Sequence, residues 1–224
     1  MPKRIKLRGP LIPNDSQQVY DYYGLEAVSA KSIKDSLPED GSDVVIEVNS
    51  NGGLVTVGSD IYTTLKQYAG HVTVEVTGMA ASAASVAIMG ADTVRISPTA
   101  QIMIHKALLG YMSGNSDDLD KASNALKSSD QAIVNAYVAK TGLEESVIID
   151  MMKNETFMSA SEAVEKGFAD EVMTFDDVGA VASLESGLLP QAVIDDFYAN
   201  RSKRKSEIQN MLREIEKEEL LRGL

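Results

Sequence analysis

Four short stretches of the chain hold the residue types from which nucleophilic acyl transfer is built. They are a serine after small residues in GMAAS, a glycine pair in NSNGG, a histidine closing QIMIH and a glutamate in KNETF. Ser82 stands where the strand-like HVTVEV hands over to an apolar, helix-like stretch. Unpaired N–H groups and the positive end of a helix dipole favour an alkoxide or oxyanion there, and small neighbours let a substrate backbone approach. Taken alone, such a serine is more often an ordinary helix cap.

Gly52 and Gly53 occupy the equivalent junction one unit earlier. A glycine there can take backbone angles denied to other residues and aim an N–H at a developing oxyanion, although by itself the pair also reads as a plain tight turn. His105 ends an apolar strand, and imidazole is the side chain that exchanges a proton near neutral pH. A lone histidine is more often structural. The other histidine, His71, follows Gly70 at the start of its strand, at the end opposite the crevice. A carboxylate such as Glu155 can hold an imidazole in one tautomer and stabilise its cation, whereas on spacing alone it is an exposed loop charge. Asp92 and Asp170 are the fallback acids.

These residues need elements to bring them together. Asp43 to Val48 reads as a buried strand and Leu54 to Tyr68 as a helix. His71 to Val76 repeats the strand, GMAAS reads as a tight turn, and Ala83 to Gly90 is a short apolar helix. Two successive strand, turn and helix units predict an α/β fold with a parallel sheet, in which neighbouring strand ends bring Gly53 and Ser82 to one crevice. Before them lie a strand over Ile5 to Arg8, stopped by Gly9-Pro10, and helices over Gln17 to Tyr23 and Ser29 to Ser36, the latter capped by Ser29.

After them come strands over Thr93 to Ile96 and Gln101 to His105. A long polar helix follows over Asp117 to Lys140, with Leu119, Ala122, Leu126, Ile133 and Tyr137 as its expected buried stripe. Leu143 to Met152 is helical, Ser159 and Glu162 form a capping box opening a helix that ends at Gly167, and Glu171 to Thr174 closes the sheet. Beyond about residue 185 the character changes. Gln191 to Asn200 reads as helical, and from RSKRK onward a charged helix carries only a narrow apolar stripe of Ile208, Met211, Leu212 and Ile215, which needs a partner. The expected division is a domain over 1–185 and a helical tail over 186–224.

A net charge of −12 disfavours nucleic acid and anionic membranes as partners, leaving proteins. The absence of cysteine excludes disulfides, thiolate metal sites and cysteine nucleophiles. No metal or cofactor is expected. The basic start MPKRIKLRGP lacks the apolar core of a signal peptide, and no run reaches the roughly 18 residues of a membrane span, so a soluble, cytoplasmic protein is expected.

From Asp43 to Val172 the chain resembles the proteolytic subunit of the Clp protease. NSNGGLVTVGSDIY is similar to that family's glycine-turn segment, GMAAS to its nucleophile turn and MIHK to its histidine strand. FMSASEAVEKGFADEV is similar to the stretch after the family's catalytic aspartate, which puts Glu155 in the acid's place, a departure from aspartate. The resemblance implies a serine endopeptidase with Ser82 as nucleophile, His105 as base and Glu155 as orienting acid. It also implies an oxyanion hole of Gly53 and the Ala83 N–H, the crotonase-like crossover fold, and rings, expected to be heptameric, interlocked through the long helix.

The N-terminal LRGPLIPNDSQQVYDYYGLEAVSAKSI looks like the tailed-phage branch of head maturation proteases. This implies capsid or scaffold protein as substrate, within a prohead in the host cytoplasm. The alternatives are a subunit fed by an ATP-driven unfoldase, a crotonase-like acyl-CoA enzyme that needs neither Ser82 nor His105, and a catalytically silent assembly factor.

Overall fold

The computed structural model describes residues 2–110 and 112–175. The expected helices beyond residue 190 and the boundary at 185/186 lie outside the described residues. Among those described, no helix is long and apolar enough to cross a membrane.

The fold is α/β around a parallel sheet, as the alternation of elements predicts. In β1 (Lys3–Arg8) the alternation buries Ile5 and Leu7 and turns the basic residues outward, so this strand sits at a sheet edge. The apolar run of β2 (Val44–Ser50) is buried along most of its length, as a strand covered on both faces must be. Preceded by α1 (Gln17–Tyr22) and α2 (Ala30–Ser36), it leads through α3 (Val55–Gln67) into β3 (Val72–Ala81), then through α4 (Ala83–Ile88) into β4 (Thr93–Ile96). All six residues of α4 are buried, and their small size lets a helix sit that deep. With β7 (Glu171–Val172) the strand order is β1-β2-β3-β4-β7, and every neighbouring pair is parallel.

β3 differs from the expectation. GMAAS reads as a turn because its residues are small, but the strand runs on through Gly78, Met79 and Ala80 to Ala81. Long-range pairing overrides the local preference. The first half of β3 pairs with β4, whereas Met79 to Ala81 pair with Gln101 to Met103 of β5 (Gln101–Ile104). The register against β2 slips between Val48↔Val76 and Ser50↔Ala80, and Asn49 Oδ1 fills the irregularity by accepting the Met79 N–H at 3.2 Å. β5 also pairs antiparallel with β6 (Thr156–Ser159), a strand that the local pattern of the sequence does not signal.

Helix α5 (Ser116–Thr141) opens on a reciprocal Asn115/Asp118 capping box and closes on the left-handed Gly142. Its expected stripe is buried only in part. Ile133 and Tyr137 are buried, but Ala122 and Leu126 are half-buried and Leu119 is 51% exposed. The N-terminal half of α5 therefore lies away from the core. α6 (Glu145–Lys153) and α7 (Ala160–Glu165), the latter capped by Ser159 and Glu162 as expected, carry the chain back to β7.

Candidate active site

Ser82 separates β3 from α4 at φ 55°, ψ −129°, a conformation that L residues seldom adopt. Its hydroxyl caps nothing in the helix that follows. Oγ instead lies 2.6 Å from Nε2 of His105. With the Nε2 lone pair facing it, the Ser82 O–H donates to the ring, the geometry a general base requires. Sheet register sets this distance. The Ser82 N–H donates to the Met103 carbonyl at 2.9 Å, so the strand carrying His105 is fixed against the strand carrying Ser82.

The glycine pair lies against the same turn. Gly52 has φ 93°, and a Cβ there would sit 2.6 Å from the Ala81 oxygen and 2.7 Å from Ser82 Cβ. Gly53 has φ 152°, and its Cβ would fall 2.3 Å from the Leu11 oxygen. No other residue allows the two backbones so close. Ser50 secures the approach: its Oγ donates to the Gly9 carbonyl and accepts the Gly52 N–H. Leu11 donates to Gly52 and accepts from Leu54. The N–H groups of Gly53 and Ala83 have no acceptor among the described residues. Gly53, Ser82 and His105 line one open crevice of about 430 Å³.

Apolar crevice walls are the part that sequence reasoning missed. Val55, Met79, Met103, Leu108 and Phe157 surround the polar residues. Leu108 and Phe157 are 67% and 56% exposed, and their position beside His105 and Glu155 in the chain was the available signal.

Glu155 is not joined to His105. The β5–β6 ladder pairs Ile104 with Thr156, so one further step would set His105 opposite Glu155. Glu155 instead leaves the ladder at φ 48°, exposed, with its carboxylate in no hydrogen bond or ion pair with a described residue. Both fallback acids lie at the other end of the strands. Asp92 accepts the Val72 N–H, while Asp170 accepts the Val94 N–H and pairs with Lys140. His71 is at that end too, 3.1 Å from Thr93 Oγ1.

A family model described as Clp protease matches residues 33–176, more than half of the chain. The chain belongs to the Clp protease family. Clp relatives include ATP-dependent Clp protease proteolytic subunit 1 of Chlamydia muridarum, 34% identical over 161 residues, covering 68% of this chain and 84% of the relative. The subunit 1 of Protochlamydia amoebophila is 30% identical over 173 residues, covering 73% and 84%. A Clp proteolytic subunit of Aethionema cordifolium is 33% identical over 139 residues, covering 61% and 71%. The Clp match takes in Gly53, Ser82, His105 and Glu155 and leaves out the segment before residue 33.

Proposed function

We propose that this member of the Clp protease family is a serine endopeptidase in which Ser82 attacks the peptide carbonyl. The observation that carries the reading is the 2.6 Å contact between Ser82 Oγ and His105 Nε2, made by a serine whose hydroxyl is not used as a cap. His105 takes the Ser82 proton as the C–O bond forms, and the tetrahedral oxyanion meets the N–H groups of Gly53 and Ala83. His105 then passes the proton to the leaving amine, and water repeats the sequence on the acyl enzyme. Glu155 is the proposed orienting acid, engaging His105 by rotating toward it across the end of the β5–β6 ladder. A crotonase-like acyl-CoA reaction has no use for the Ser82–His105 contact.

The proposed substrate is capsid or scaffold protein trimmed within an assembling prohead, by heptameric rings of this chain. Support comes from the N-terminal segment, which resembles the phage branch and lies before the family match except for its last residue, Ile33. A second reading is favoured by relatives named as subunits of an ATP-dependent protease: a chamber fed by an unfoldase.

Two experiments test these readings. Fluorophosphonate should label the wild type and not Ser82→Ala, and the variant should lose on the order of 10⁴-fold or more in peptide hydrolysis. Equal hydrolysis by both proteins overturns the mechanism. Coexpression with capsid and scaffold proteins should give Ser82-dependent cleavage without added ATPase, whereas degradation of a tagged folded protein only with an unfoldase supports the second reading.

A further inference from the structure

Two hydroxyls that the proposed mechanism does not use lie fully buried beside Ser82. Ser85, in the first turn of α4, and Tyr137, near the end of α5, are both 0% exposed. Ser85 Oγ is 2.6 Å from the Ser82 carbonyl oxygen and 2.8 Å from the Tyr137 hydroxyl. A backbone carbonyl only accepts, so the single Ser85 proton is committed to it, and Tyr137 must be the donor to Ser85. Burial pushes the Tyr137 phenol above its ordinary pKa and keeps that proton in place. The chain Tyr137 O–H to Ser85 O–H to Ser82 C=O therefore has one direction, and each bond polarises the next.

The carbonyl it ends on belongs to the peptide that carries the Ala83 N–H. That peptide is trans, so C=O and N–H point oppositely, and whatever holds one holds the other. Ser82 ψ, at −129°, is the torsion that turns this plane. The Ser85 and Val86 N–H groups reach the same oxygen at 3.0 and 3.3 Å, leaving the Ser85 hydroxyl as the shortest of three contacts.

We propose that Ser85 and Tyr137 are positioning residues, a buried relay that fixes the Ser82–Ala83 peptide so that the Ala83 N–H faces the crevice. The relay rests on the reading of Ser82 as nucleophile and Ala83 as oxyanion donor. It makes the rate of acylation depend on a hydroxyl of α5. A serine that merely satisfies itself on its own helix needs no such consequence.

The test uses the full chain as wild type, Tyr137→Phe, Ser85→Ala and the double variant. Tyr137→Phe keeps the ring that packs 5.4 Å from Phe168 and removes only the hydroxyl. The measurements are kcat and KM on a fluorogenic peptide amide, normalised to fluorophosphonate-labelled sites, and inhibition by a peptide boronate, whose adduct places an oxyanion at Ala83. Each single variant should lose roughly 10-fold in kcat per labelled site, less than the loss of an oxyanion donor outright, with KM unchanged and boronate affinity weakened by the same factor. The double variant should be no slower than Ser85→Ala, because one broken link opens the relay, and should regain thermal stability because no buried hydroxyl is left unpaired. Wild-type kcat per labelled site in both single variants, whatever their stability, overturns the relay alone. A wild type that neither labels nor hydrolyses overturns the peptidase reading, and the relay falls with it.

Discussion

At the scale of single residues, Ser82 and His105 differ from Glu155 in what holds them. Ser82 is fixed through its N–H to Met103, and His105 follows the strand that supplies that carbonyl. Glu155 follows the end of α6 on a left-handed backbone, with a free carboxylate among the described residues. In the proposed role its carboxylate must turn toward His105 and form a charge-assisted hydrogen bond that the structure does not hold in place. Glu155→Gln should lower kcat by roughly 10- to 100-fold, well short of losing Ser82 or His105. Steady-state kinetics on a peptide amide decides it, and an unchanged kcat means that no carboxylate at 155 orients His105.

At the scale of elements, the site is a junction of two backbones rather than a set of side chains. Gly52 packs against the Ala81 carbonyl and Ser82 Cβ, so any Cβ at 52 must push the Ser82 turn or the glycine turn aside. Gly52→Ala should cost about 1–3 kcal/mol, combining positive-φ strain and overpacking, read by urea denaturation, and should depress kcat more than KM. Across the sheet, Arg4 of β1 hydrogen-bonds Glu47 of β2 and also reaches Glu75 of β3. That hydrogen bond holds the Glu47 carboxyl below the usual carboxylate range. Because the folded value is the depressed one, the contribution is present above about pH 4.3, the unfolded value, and is lost as pH falls through the folded value. Arg4→Gln should therefore flatten the fall of Tm with acidification below about pH 4.3, as followed by circular dichroism, while lowering Tm only slightly near neutrality.

At the scale of the whole molecule, several large apolar side chains among the described residues are left exposed. Leu119 is 51% exposed in the N-terminal half of α5, and Leu109, next to the crevice residue Leu108, is 52% exposed. Under the proposed ring assembly Leu119 becomes buried between copies. Light scattering of the wild type at micromolar concentration should give a mass several times 24.1 kDa, and Leu119→Glu should lower it. A monomeric wild type rejects the assembly, and an unaffected Leu119→Glu moves the contact elsewhere.

What the sequence determined by itself is what depends on near neighbours. The alternation of apolar strands and helices, the caps at Ser29 and Ser159, and the places of Gly53, Ser82 and His105 just after strands all follow from residues a few positions apart. Tertiary structure decided what depends on distant partners. β5 draws GMAA into β3 instead of a turn, and β6 forms only because β5 offers it an edge. The core receives only the C-terminal half of α5. Whether Ser82 caps a helix or faces a base could not be read locally, since its φ of 55° and its 2.6 Å contact with His105 arise from the pairing of strands brought together by the fold.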